Sequence, residues 1–163
     1  MSRFTPLLIL ISLLLSSRLM QAQDPNRYIF LCFGQSNMEG FPGIEAQDKG
    51  PVDERFEMLA AVDFPKQDRK KGSWYPAMPP LSRPMAGLGP ADYFGRILVA
   101  GLPATIKVGV VNVSIGGCRI ELFQKDSFQA YADTAPQWMK GTIAAYSGNP
   151  YQHLVEMARL AQQ

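Results

Sequence analysis

The sequence predicts an α/β fold built on a parallel sheet. Three observations carry that reading. The runs Tyr28-Ile29-Phe30-Leu31-Cys32-Phe33 and Ile106-Lys107-Val108-Gly109-Val110-Val111-Asn112-Val113 are short, mostly apolar and rich in β-formers. Glycine-bearing turns end both, Gly34 after the first and Gly116-Gly117 after the second, so they read as strands buried on both faces. Between them lies a segment with a proline start and an apolar face, which reads as a helix. Strand, long connection, helix, strand is the right-handed crossover unit of a parallel sheet.

The elements follow in order. Arg3 precedes an apolar run from Leu7 to Leu15, then Ser16-Ser17 and Leu19-Met20-Gln21-Ala22. This is the tripartite pattern of a signal peptide, and the run is short of the ~20 residues that span a bilayer. Residues 1–22 are expected to be removed, with Gln23 opening the mature chain; the alternative is an uncleaved anchor. Secretion or a periplasmic location follows, with no membrane partner after cleavage. Residues 23–163 then form a single domain unit.

From Gly40 to Gly87 the chain is rich in Pro, Gly and charge and shows no sustained period. It reads as a long irregular connection, a kind that is often functional. Gly89-Pro90 opens the helix, since Pro at the first position has no intrahelical N–H to lose, and Asp92 suits the positive start. Phe94, Ile97 and Leu98 share a face, and Gly101 with Pro103 stops the run. Short helical pieces are expected between Phe128 and Ala144. Asn149-Pro150 begins a last helix with Asn as its cap and Leu154, Val155, Ala158 and Ala161 as its stripe. Sheet logic calls for a later strand beside 106–113. None follows before Gln163, so residues 23–163 are expected to be the N-terminal portion of a domain whose C-terminal part is missing.

Composition excludes several classes of partner. A net charge of +2 with Arg69-Lys70-Lys71 as the one basic run argues against nucleic acid. One histidine and scattered acids argue against a zinc site. Of the two cysteines, Cys32 reads as a small packed hydrophobe; a bond to Cys118 is open if their strands are neighbours.

The chemistry sits at the strand ends, where sites form in open parallel sheets. Gly34-Gln35-Ser36-Asn37-Met38-Glu39-Gly40 follows the first strand. A serine there sits where free backbone N–H groups shelter an oxyanion. The plain alternative is a serine that caps the next helix. With Met38 in the last position, the turn is not the G-x-S-x-G elbow.

Gly34-Gln35-Ser36-Asn37-Met38 after a hydrophobic strand resembles the first block of the SGNH hydrolase superfamily, in the sialate O-acetylesterase-like branch that includes carbohydrate esterase family 6. Val110 to Gly117 is similar to that branch's second block, and Gly87-Leu88-Gly89-Pro90-Ala91-Asp92-Tyr93-Phe94-Gly95 is similar to the segment between them. The resemblance runs over about residues 27 to 163. It implies a three-layer α/β/α sandwich and a hydrolase that removes O-acetyl groups from a carbohydrate through an acyl-enzyme, with no metal or organic cofactor. It makes Ser36 the nucleophile and one oxyanion donor, and Gly117 a second donor; Gly116 takes that role if the register shifts by one. Acetylated xylan, another plant polysaccharide and sialic acid remain open as substrates. A lipase or thioesterase on the same fold is the rival enzyme, and a truncated sugar-binding remnant is the non-catalytic rival.

The departures from the family pattern are equally specific. Nothing after Gly117 matches the third block with its oxyanion Asn. The family's base is a His three residues after an Asp; here Pro150 stands three residues before His153, which reads as an ordinary helix or surface residue. Trp74, Tyr75 and Arg119 either line a sugar-binding rim or anchor loops. Glu121 reads as a solvated or loop-pairing residue rather than a catalytic one. The sequon Asn112-Val113-Ser114 lies in a buried strand and is discounted as a glycosylation site.

Overall fold

A computed structural model describes residues 24–163, so the expected leader at 1–22 lies outside the described residues. Strand β1 (Arg27–Gly34) and strand β4 (Lys107–Ser114) pair in parallel, in unbroken register from Arg27 opposite Lys107 to Gly34 opposite Ser114. Both carboxyl ends therefore reach the same rim of the sheet. Helix α2 (Pro90–Gly101) precedes β4 and completes the expected unit.

The segment from Gly40 to Gly87 is more regular than its sequence suggests. It holds β2 (Phe56–Leu59), parallel to β4, and β3 (Trp74–Pro76), antiparallel to β2. The sheet order is β1-β4-β2-β3. This corrects a second expectation: β2, not a later strand, takes the side of β4 away from β1. Among the described residues the bare edge of the parallel part is β1. Accordingly β4 is buried from Val108 to Ser114, whereas Tyr28, Leu31 and Phe33 of β1 are 44%, 42% and 43% exposed.

Side chains alternate across a strand, so each face of the sheet needs its own cover. On one face α2 packs so closely that a Cβ at Gly95 would fall 2.0 Å from the Phe56 ring. Phe94 of α2 meets Phe30 edge-on at 5.0 Å. On the other, a 3₁₀ turn (Ile120–Phe123) sets Phe123 against Phe33 at 5.3 Å. Helix α5 (Pro150–Ala161) packs on β4, β1 and that turn. The result is a mostly parallel sheet flanked by helices, the α/β class expected. Helices α3 (Phe128–Thr134) and α4 (Gln137–Ala145) supply the expected short pieces. Asn149 caps α5 as read, its side chain accepting from the Gln152 N–H at 3.0 Å.

Polar anchors hold the loop before β2 to α2. Asp92 is fully buried and accepts from Arg96 at 2.6 Å, burial pushing its carboxyl up against the pull of that partner. Arg96 also donates to the Asp48 carbonyl at 3.0 Å, and the Tyr93 hydroxyl donates to the Asp48 carboxylate at 2.8 Å. Among the described residues no helix is long and apolar enough to cross a membrane.

Candidate active site

After Gly34 the chain turns through Gln35 into a four-residue helix, α1 (Ser36–Glu39). Gln35 is its cap: the N–H groups of Met38 and Glu39 both reach the Gln35 carbonyl at 2.9 Å. Ser36 therefore does not serve as the cap. Its hydroxyl has one partner, the Gln35 side-chain oxygen at 3.3 Å.

The second strand end closes on the first. The Ile115 N–H donates to the Gly34 carbonyl at 3.0 Å, one rung beyond the paired strands, and brings Gly116 and Gly117 beside Ser36. A side chain on Gly116 would fall 3.8 Å from the Ser36 Cβ and 2.8 Å from the Glu39 carboxylate, against a charged group held in place. Gly117 has φ +72, a conformation that L side chains rarely adopt, and lies against the Trp138 indole. Among the described residues, the backbone N–H groups of Ser36, Gly116 and Gly117 donate no hydrogen bond. Ser36, Gly116 and Gly117 line one open cavity of about 420 Å³. Ile115, Glu39, Arg83, Thr142, Phe41 and Trp138 contribute its other walls.

The serine turn is braced from β4 and from the loop that follows β3. Asn112 donates its side-chain amide to the Met38 carbonyl at 3.2 Å and accepts from the Ser114 hydroxyl at 2.6 Å. Asn112 is 1% exposed, which leaves its sequon no room for a glycan. The Ser82 hydroxyl donates to the Glu39 carbonyl at 2.7 Å. The Gly87 and Leu88 N–H groups donate to the carbonyls of Gly40 and Pro42 at 2.6 and 2.8 Å. A Cβ on Gly87 would stand 1.9 Å from the Pro42 oxygen, so only glycine lets the two backbones meet. The buried Glu39 carboxylate forms an ion pair with Arg83, tying the serine's helix to the loop that follows β3.

The other expected site residues stand elsewhere, and none lines this cavity. Trp74 packs against Gly109 near the amino end of β4, with the Arg27 guanidinium 3.9 Å above its ring. The Tyr75 hydroxyl accepts from the Lys70 N–H at 2.8 Å. Arg119 lies 4.9 Å over the Tyr131 ring and pairs with Glu121 at 3.7 Å. Both ring nitrogens of His153 are occupied, Nε2 by the Ala61 carbonyl at 2.6 Å and Nδ1 by the Ser147 hydroxyl at 3.2 Å. Burial holds its pKa below the ordinary histidine value.

The two cysteines are free and buried. Burial pushes both thiols up to about 11, and the Glu39 charge adds to the rise at Cys118, whose Sγ lies 3.6 Å from the Gly34 carbonyl. Among the described residues no group of three or more His, Cys, Asp and Glu side chains is placed to hold a metal ion.

Sequence reasoning missed Glu39, Arg83, Phe41, Trp138 and Thr142. Glu39 lies inside the motif and was open to notice. The others reach the site through loop closure and helix packing, which leave no local pattern.

A family model described as a carbohydrate esterase, sialic acid-specific acetylesterase, matches residues 26–163. Among solved structures the chain is similar to a protein from Arabidopsis thaliana determined by X-ray diffraction, at 20% identity and a TM-score of 0.57. The match covers 86% of this chain and 52% of that one, so the chain spans about half the length of that relative. At this identity the likeness is one of fold.

Proposed function

The chain belongs to the sialic acid-specific acetylesterase family of carbohydrate esterases, and from that premise we propose that it carries the nucleophile side of a serine O-acetylesterase site. One observation carries the reading: Ser36 and the Gly116-Gly117 turn share one open cavity at the carboxyl ends of adjacent parallel strands.

In this reading the Ser36 oxygen attacks the acetyl carbonyl carbon. The carbonyl π electrons move onto its oxygen, where the free N–H groups of Ser36 and the glycine turn stabilise the charge. Collapse of the adduct expels the sugar hydroxyl and leaves acetyl-Ser36; water then releases acetate. The serine proton passes to hydroxide or water and the leaving sugar oxygen takes a proton from solvent, because neither candidate side chain is free to mediate the transfer. The sequence's one histidine is committed to Ala61 and Ser147, and the Glu39 carboxylate is engaged by Arg83. Residues 24–163 alone are accordingly proposed to turn over slowly. Export of the chain and an acetylated carbohydrate as its partner belong to the same proposal. The lipase or thioesterase alternative calls for an apolar acyl groove at the serine. An apolar cleft does run along β1, between Leu31, Met38 and Phe94, but Ser36 is not among its walls.

The test is acylation by an activated ester. Incubation with p-nitrophenyl acetate followed by peptide mass spectrometry should find one acetyl group on Ser36, and none after Ser36→Ala. Acetyl groups spread over lysines, with Ser36 bare, would refute the assignment.

A further inference from the structure

Two of the large hydrophobic side chains left in solvent face the serine cavity. Phe41 is 86% exposed and Trp138 is 64% exposed, and both line the space that holds Ser36. They arrive there independently, Phe41 from the loop after α1 and Trp138 from the first turn of α4. A single exposed ring is ordinary on a protein surface, but two that border the same cavity as Ser36 form an apolar patch of the kind that marks a binding site. The Cη2 corner of Trp138 lies against Gly117, where a methyl group would stand 2.8 Å away.

The polar groups beside these rings have spare capacity. Arg83 engages Glu39 through its Nε, and its two terminal amino groups have no hydrogen-bond partner among the described residues. The Thr142 hydroxyl, on the same helix as Trp138, has none either. The carboxylate in the cavity, Glu39, is already neutralised by Arg83. Flat apolar faces, cationic N–H donors and a hydroxyl around a cavity of 420 Å³ suit a ligand with C–H faces and a hydroxyl rim. Ligand pockets commonly combine aromatic walls with a few placed polar groups in this way, and a pyranoside has that chemistry.

We infer that Trp138 is a stacking platform for a pyranose ring of the acetylated substrate, with Phe41 as a second apolar wall and the Arg83 amino groups as donors to ring hydroxyls. The inference rests on the carbohydrate reading of the serine site. It replaces the rim expected from Trp74, Tyr75 and Arg119 with residues that border Ser36. Trp138 is a specificity residue here: it holds the sugar and takes no part in bond making.

The sequence has two tryptophans, which makes the platform directly readable. In a Ser36→Ala, Trp74→Phe chain Trp138 is the sole indole and turnover cannot consume the ligand. Titration with O-acetylated xylotetraose should shift Trp138 emission to the blue, saturably, while glycerol at the same concentration leaves it unchanged. By calorimetry, Trp138→Ala in the Ser36→Ala chain should weaken the same sugar about tenfold, as for a central aromatic contact, and Phe41→Ala should weaken it less. Unchanged Trp138 emission on saturation overturns the platform, as does undiminished binding in Trp138→Ala or no binding of the sugar at all. If Trp138→Ala does not fold, the emission titration alone decides. Acetylation of Ser36 in the unaltered chain reports the proposed function separately, so loss of either result leaves the other interpretable.

Discussion

The Arg83 guanidinium is clamped to the carboxylate of Glu39, three residues after Ser36 and on the same short helix. Glu39 is 6% exposed, whereas the Arg83 side chain is 34% exposed. The two ends of the pair therefore differ in what their loss would cost. Glu39→Gln leaves an arginine that can turn to water, so the expected loss is about 1–2 kcal/mol of unfolding free energy, near the low end for charged hydrogen bonds. Arg83→Gln leaves a carboxylate buried without its counter-ion and should cost more. Urea unfolding of both variants checks the order; equal losses would mean that Glu39 is not the buried partner.

Gly87 and Gly141 should respond oppositely to alanine. A Cβ at Gly87 meets the Pro42 carbonyl oxygen at 1.9 Å, an obstacle made of backbone. Gly87→Ala is expected to lose about 3 kcal/mol, as overpacking does, and to lower Ser36 acylation because the serine turn moves. Gly141 lies inside α4 with nothing within 4 Å of its Cβ position. Gly141→Ala should gain about 0.5–1 kcal/mol from helix propensity. Thermal melts of the two variants give the comparison.

His153 makes stability depend on pH. It is 1% exposed and its Nε2–H donates to the Ala61 carbonyl, which leaves Nδ1 to accept from Ser147. Burial, and to a lesser degree Lys71, depresses its pKa. The native state therefore keeps the ring neutral where the unfolded chain already protonates. Stability should be level above the unfolded value of about 6.5, fall as pH drops below it, and level off once the native ring also protonates. Urea midpoints measured between pH 7.5 and 5 should show that decline, and His153→Gln should flatten it.

The pH dependence of Ser36 acylation should look different from that of a histidine-assisted serine. No imidazole borders Ser36 in residues 24–163. The rate with p-nitrophenyl acetate should rise with hydroxide and show no inflection in the histidine range near about 6.5. An inflection there that disappears in His153→Gln would place His153 in the reaction. His153→Gln is otherwise expected to change stability and leave the shape of the rate profile alone.

Strands β1 and β4, helix α2 and the cap of α5 were legible because each rests on a local signal: a continuous apolar run, a Pro start, an Asn cap. Strands β2 and β3 were not. They are four and three residues long, and Phe56-Glu57-Met58-Leu59 neither alternates nor runs apolar throughout. Phe56 is covered by α2 and Met58 by Arg69, contacts that no local pattern announces. The two apolar strands looked alike on paper, yet one is interior and the other an edge. Composition reports that a residue prefers burial but not how many strands lie beside it. The same limit explains the site. Ser36 and the glycine turn are local features of strand ends, whereas Arg83 and Trp138 reach the cavity only after a loop and a helix have packed.

The thiol of Cys118 sits beneath the serine rim, 3.6 Å from the Gly34 carbonyl and with its pKa raised to about 11. Closed, it offers an alkylating reagent neither access nor thiolate. Its labelling rate is therefore a clock for how often the two strand ends part, and it runs without any introduced probe. A ligand that bridges Ser36 and Gly117 should slow that clock in proportion to its occupancy, whether or not any bond is made or broken.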